Sequence, residues 1–104
     1  MDEARKPGGT RRQRIADLLR DGRWTVRDLS RKVGAPMKAV VDDLEHVRRS
    51  LRPGETWAAD PAECERCGFA FEDREKIDRP SRCPECRSER IREAAYGIER
   101  EDAR

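Results

Sequence analysis

The chain has 104 residues, 35% of them hydrophobic and 44% charged, which is too little apolar surface for one continuous core and predicts two small units that need a metal or crosslinks to hold them. The formal net charge of +2 is unevenly shared: residues 1–52 carry 14 Lys/Arg against 8 Asp/Glu and residues 53–104 carry 10 against 14, so the first half is the candidate polyanion-binding half. No apolar run approaches the roughly 20 residues that span a bilayer, and residues 1–10 lack an apolar signal core; the protein is expected to be soluble and cytoplasmic, with no membrane partner.

In chain order, residues 1–9 have no apolar periodicity and predict a disordered arm. A first helix is expected over Arg11 to Asp21, because Thr10 and Gln13 have capping-box spacing, Ile15, Leu18 and Leu19 make one apolar stripe, and Gly22 suits the end. A second is expected over Val26 to Val33, capped by Thr25 and closed by Gly34, with Val26, Leu29 and Val33 facing inward and Trp24 packed before the cap. A third begins at Pro36 and runs to about Leu51. Met37, Val40, Val41, Leu44, Val47 and Leu51 form its packing stripe, with Lys38, Asp42, Glu45 and Arg49 opposite. His46, the only histidine, is expected to be a surface or packing residue with no chemical role.

Three short strands are expected after that: Thr56 to Ala59, Phe69 to Phe71, and one marked by Ile91. The segment Glu72 to Arg82 is charged and reads as a loop, and Ala94 to Arg104 reads as a frayed tail. The expected boundaries are residues 10–59 for the helical unit, 60–93 for a cysteine-bearing unit and 94–104 for the tail.

The cysteines stand as Cys64 and Cys67, then fifteen residues, then Cys83 and Cys86. Each CxxC turn aims two sulfurs at one point, and two turns complete a tetrahedral thiolate shell for one Zn2+. Gly68 suits the tight backbone of the first turn. In a reducing compartment disulfides do not persist, so the pairs indicate metal. Four thiolates leave no open position for water or substrate, which makes the site structural; Phe69, Phe71 and Ile91 are too few to hold residues 60–95 folded alone. Iron accepts the same geometry. The chain contains no nucleophile elbow, phosphate-cradling glycine loop or carboxylate pair in an apolar setting, and no enzyme activity is expected.

The second helix, the turn at Gly34 and Ala35, and the third helix have the outline of a helix-turn-helix, in which the latter helix enters the major groove of double-stranded DNA. Arg11, Arg12 and Arg14, Arg27, Arg31 and Lys32, Lys38, and Arg48, Arg49 and Arg52 could surround such a groove. The last three also suit the negative end of a helix dipole. Asp42, Asp43 and Glu45 are expected on the exposed face, where they repel phosphate while offering acceptors to cytosine amino groups.

The stretches Thr10 to Gln13 (TRRQ), Asp43 to Val47 (DLEHV), Arg49 to Leu51 (RSL), Pro61 to Cys64 (PAEC), Cys67 to Phe71 (CGFAF) and Pro80 to Ser88 (PSRCPECRS) resemble archaeal predicted transcriptional regulators in which a winged helix-turn-helix is fused to a C-terminal zinc ribbon. The resemblance implies an α+β chain: a three-helix winged unit followed by a small β-rich ribbon, a DNA-binding regulatory role, and Cys64, Cys67, Cys83 and Cys86 as zinc ligands. The family's wing would come from Leu51 to Asp60 as a short hairpin. A homodimer, paired through the first helix or the tail, would predict half-sites about 10 base pairs apart. Two other readings compete: a transcription-machinery adaptor similar to archaeal transcription factor E, docking on proteins through its acidic surfaces, and a metal-handling module similar to the zinc domains of hydrogenase maturation proteins. Removing zinc is expected to unfold residues 60–95 and leave the three helices mostly intact.

Overall fold

The structure is a computed structural model and describes residues 10–72, 77 and 80–101. The arm at residues 1–9, residues 102–104 of the tail and residues 73–76 and 78–79 of the charged loop lie outside the described residues. The elements run α1 (Arg11–Asp21), β1 (Trp24–Thr25), α2 (Val26–Val33), α3 (Met37–Arg49), β2 (Glu55–Asp60), β3 (Glu63–Cys64), β4 (Ile91–Arg92) and β5 (Ala95–Arg100).

The helix ends follow their caps. The Thr10 hydroxyl accepts from the Gln13 N–H at 3.1 Å and the Thr25 hydroxyl from the Asp28 N–H at 3.0 Å, so each satisfies a donor that the first helical turn leaves free. Gly34 closes α2 in the left-handed region at φ 69°, and its N–H donates to the Ser30 carbonyl. Pro36 lies outside α3 as its cap, with extended backbone, and Ser50 ends it before Leu51. The Trp24 indole, half-buried, donates its N–H to the Leu18 carbonyl at 2.8 Å.

Ile15, Leu19, Leu29, Val40, Leu44 and Val47 pack one core with Tyr96 and Ile98. The last two belong to β5, so residues Ala95–Arg100 of the segment read as a frayed tail form the middle strand of the main sheet. The antiparallel order is β1-β5-β2, with Trp24 opposite Tyr96 and Glu55 to Asp60 running against Arg100 to Ala95. The alternation of Tyr96 and Ile98 with exposed Glu99 was a short strand signal, obscured by Gly97. That glycine is there for close approach: a Cβ on it would lie 2.7 Å from the Gly22 carbonyl oxygen. Residues Glu55–Asp60 therefore do not close a local hairpin within Leu51 to Asp60. They pair across the cysteine-bearing segment, which lies between the two long strands rather than after them.

The ribbon unit has a two-stranded sheet, Glu63 opposite Arg92 and Cys64 opposite Ile91. The Phe69 to Phe71 stretch contributes only an isolated bridge, Ala70 to Glu63, and the two rings meet edge to face with centroids 5.0 Å apart. Ala62, Cys64, Cys83 and Ile91 form its small core. Ile77, in the segment read as a plain charged loop, is 2% exposed and belongs to the helical core.

Two expectations for α3 fail, each for its own geometric reason. Met37, placed in the packing stripe, is 44% exposed, because it is the first residue of the helix and the core begins a turn later at Val40. Asp43, placed on the exposed face, is 1% exposed: Val40, Asp43, Leu44 and Val47 share the buried face at steps of three and four. Among the described residues no helix is long and apolar enough to cross a membrane.

Candidate metal centre

Two tight turns of the same construction carry the cysteines. In the first, the Cys64 N–H donates to the Phe69 carbonyl at 2.8 Å and the Cys64 carbonyl accepts from Gly68 at 2.9 Å; in the second, the Cys83 N–H donates to the Ser88 carbonyl at 2.9 Å and the Cys83 carbonyl accepts from Arg87 at 2.9 Å. The Arg66 N–H points at the Cys64 sulfur at 3.4 Å and the Glu85 N–H at the Cys83 sulfur at 3.3 Å. Each turn thus offers backbone donors to a sulfur that bears negative charge.

The four sulfurs lie within 4.8 Å of one another, with Cys64 to Cys86 and Cys67 to Cys83 both at 3.6 Å. A tetrahedron with zinc–sulfur bonds of about 2.3 Å has edges of about 3.8 Å, so the cluster has the dimensions of a Zn(Cys)4 shell. The acid–base chemistry of the donor set fits too. Donation from the Cys67 N–H holds the Cys64 thiol down at about 6. The Phe69 N–H draws Cys67 the same way, but desolvation and the neighbouring sulfurs of Cys83, Cys86 and Cys64 outweigh it and push that thiol up to about 12. Four thiolates this close repel one another, and a dication relieves the repulsion. Cys64 and Cys83 are buried, Cys86 is half-buried and Cys67 is exposed, so the complete shell has one sulfur at the surface.

The two turns differ at one position. Gly68, four residues after Cys64, has φ 83°, and Arg87, four residues after Cys83, has φ 65°. Arg87 is the only non-glycine in the left-handed region among the described residues. Laying one CxxC turn over the other in the sequence would have exposed this exception.

The candidate DNA-contacting cations divide into two groups. Arg11 and Arg12 both donate to the Asp43 carboxylate, Arg12 at 3.0 Å. Burial raises the Asp43 pKa and the two guanidiniums more than offset it, leaving the carboxyl below its ordinary value. Arg27 pairs with Glu93 at 3.0 Å, and Arg48 with Glu45 at 2.6 Å. Arg14, Arg31, Lys32, Lys38, Arg49 and Arg52 make no side-chain ion pair among the described residues, although the Arg14 guanidinium reaches the Lys32 carbonyl at 3.5 Å. Arg31, Lys32 and Lys38 flank the turn at Gly34, and Arg14 joins them there.

Among proteins of known family, the model described as PF0610-like, N-terminal, matches residues 10–56, and the PF0610 rubredoxin-like zinc beta-ribbon domain matches residues 61–101. A search of curated proteins finds no match. Among solved structures, the solution NMR structure of protein PF0610 from Pyrococcus furiosus is similar over 96% of this chain and 98% of that one, at 33% identity and a TM-score of 0.72. The cluster of four cysteines and the ribbon match together make this a site for one structural Zn2+. With both parts matched in order and a relative at this identity over nearly its whole length, the chain belongs to the PF0610-like family, and its three helices and sheet are joined to a rubredoxin-like zinc ribbon.

Proposed function

We propose that this protein is a DNA-binding transcriptional regulator whose helical half is a winged helix-turn-helix, with α2 and α3 as the helix-turn-helix and β2 and β5 as the strands of the wing. The carrying observation is the sheet order β1-β5-β2 behind three helices, with Arg31, Lys32 and Lys38, which make no side-chain ion pair among the described residues, around the α2–α3 turn. A short strand after α1 pairs with the strand that returns after the ribbon, α1 packs on that sheet, and α3 packs on α1 and α2, which leaves its outer face for a groove. The burial of Asp43 supports this reading. Of the three carboxylates expected to repel phosphate, Asp43 is withdrawn and neutralised, and Glu45 is held by Arg48.

In this reading Lys38 and Arg49 approach the duplex from α3 while Arg14, Arg31 and Lys32 bind phosphate beside it. Arg11 and Arg12, tied to Asp43, position α1 against α3 rather than contact DNA. The chain acts as a binding protein with no catalytic step.

The combined Arg31→Ala, Lys32→Ala and Lys38→Ala variant should bind duplex DNA at least about tenfold more weakly, with a salt dependence reduced by about one unit of log–log slope for each lost phosphate contact. Unchanged affinity would remove the α2–α3 turn from the interface. If the zinc-loaded wild type retains no DNA but captures polymerase subunits, the adaptor reading replaces this one.

A further inference from the structure

The ribbon carries a surface that the net acidity of its half of the chain conceals. Arg66 from the first cysteine turn and Arg87, Ser88, Glu89 and Arg90 from the second line one concavity of about 570 Å³. The Glu89 carboxylate is taken by Arg82 at 3.4 Å, and Arg92 is taken by Glu63. Arg66, Arg87 and Arg90 make no ion pair among the described residues. Glu65 and Glu85, the remaining carboxylates of the two turns, do not line the concavity. The Ser88 oxygen accepts from the Arg90 N–H at 3.1 Å, which leaves its own O–H as a donor.

Arg87 supplies the second, independent observation. Its backbone sits at φ 65°, in the left-handed region that disfavours a non-glycine residue, and the equivalent position of the other turn is Gly68. Glycine would satisfy the backbone at position 87 as it does at 68, so what the arginine adds is its side chain. Arg87 lines the same concavity as Arg66 and Arg90.

We infer that Arg66, Arg87 and Arg90 form a phosphate-binding face of the zinc ribbon that grips the sugar–phosphate backbone of duplex DNA. The inference rests on the DNA-binding reading of the helical half. Three planar guanidiniums and a hydroxyl around one concavity, with no ion pair to the three arginines among the described residues, suit the multiple oxygens of a phosphodiester. Placement agrees with this role. The ribbon fills the interval between Asp60 and Ala95, at the tip of the pair β2–β5. The strand-leading residues Glu93 and Ala94 line a groove with Met37 and Lys38 of the first turn of α3, and Glu93 is bound to Arg27 of α2. The ribbon therefore leaves the sheet at the end where α3 begins, and the zinc site holds both arginine-bearing turns in one orientation.

The test is a titration of random-sequence 20-base-pair duplex DNA with zinc-loaded full-length protein, wild type and the variant combining Arg66→Ala, Arg87→Gly and Arg90→Ala, over a salt series. Glycine at 87 keeps the turn, and metal content and melting temperature are measured on both proteins. The expected result is normal zinc content, at least about tenfold weaker binding at low salt, and a log–log salt slope smaller by about 2 to 3. Equal affinity and slope for the two proteins would overturn the ribbon face and leave the helical reading standing. No binding by the wild type would overturn both. If the variant loses zinc, the single Arg66→Ala substitution, remote from the left-handed position, decides: an unchanged slope overturns the inference and a slope smaller by about one supports it.

Discussion

Two carboxylates and one glycine carry strain or charge in ways that substitution can read. Glu55, buried at the start of β2, receives the Arg20 guanidinium at 2.7 Å and the Arg52 backbone N–H at 2.9 Å, and its pKa falls from 4.5 to about 2. A carboxyl depressed in the folded state contributes stability that is present above its ordinary pKa and lost as pH falls through the folded one. Thermal stability should therefore fall between about pH 4.5 and 2 in the wild type, and Glu55→Gln should start lower and flatten that part of the profile. Asp43 has the same sign, with Arg11 and Arg12 as partners; Asp43→Ala should lower stability by about 1–3 kcal/mol in a denaturant titration, since it leaves two guanidiniums without their acceptor. Gly97→Ala should cost at least about 1–3 kcal/mol, because the new methyl meets the Gly22 carbonyl oxygen at 2.7 Å, and backbone yields less readily than a side-chain end. A melting temperature unchanged by that substitution would mean that β5 and the α1–β1 turn are not packed as described.

Helices were legible because each has local punctuation: Thr10, Thr25 and Gly34 act within a few residues of themselves, and the expected caps are the observed ones. The cysteine turns were legible for the same reason, since CxxC spacing is local geometry. What the sequence did not reveal depends on partners far along the chain. The burial of Asp43 is set by arginines 31 and 32 residues away, although its step of three from Val40 was a signal for the buried face. β5 pairs with strands that precede it by many residues, and a six-residue strand containing Gly97 has little intrinsic signature. At this scale the second cysteine turn makes its own prediction. Arg87→Gly should tighten retention of zinc against a competing chelator and raise the unfolding free energy of the ribbon by about 1 kcal/mol, because it removes a side chain from the left-handed region. Weaker zinc retention in that variant would mean that the Arg87 side chain supports the turn.

For the whole molecule, the decisive feature is that the ribbon interrupts the sheet. The chain leaves β2 at Asp60, builds the zinc site, and returns at Ala95 to form the middle strand. Without zinc the intervening 34 residues become a flexible loop that must still be closed, at an entropic cost of about 3 kcal/mol. Zinc removal, or the Cys64→Ser and Cys86→Ser double substitution, should therefore unfold the ribbon and also lower the melting temperature of the helices. This departs from the expectation that zinc removal leaves the three helices mostly intact, because Tyr96 and Ile98 of β5, which follow the ribbon, pack in the helical core. A helical melting temperature independent of zinc would show that β5 docks without the ribbon. Under the proposed function the zinc-bearing fold presents α3 to DNA, and the most direct test is to titrate the zinc-loaded protein against random-sequence duplex and against fragments of its own upstream region, at low and near-physiological salt. Binding to both is expected at low salt, with tighter binding to the upstream fragments that persists as salt rises. Absence of binding at low salt, with one zinc per chain measured in the same sample, would contradict it.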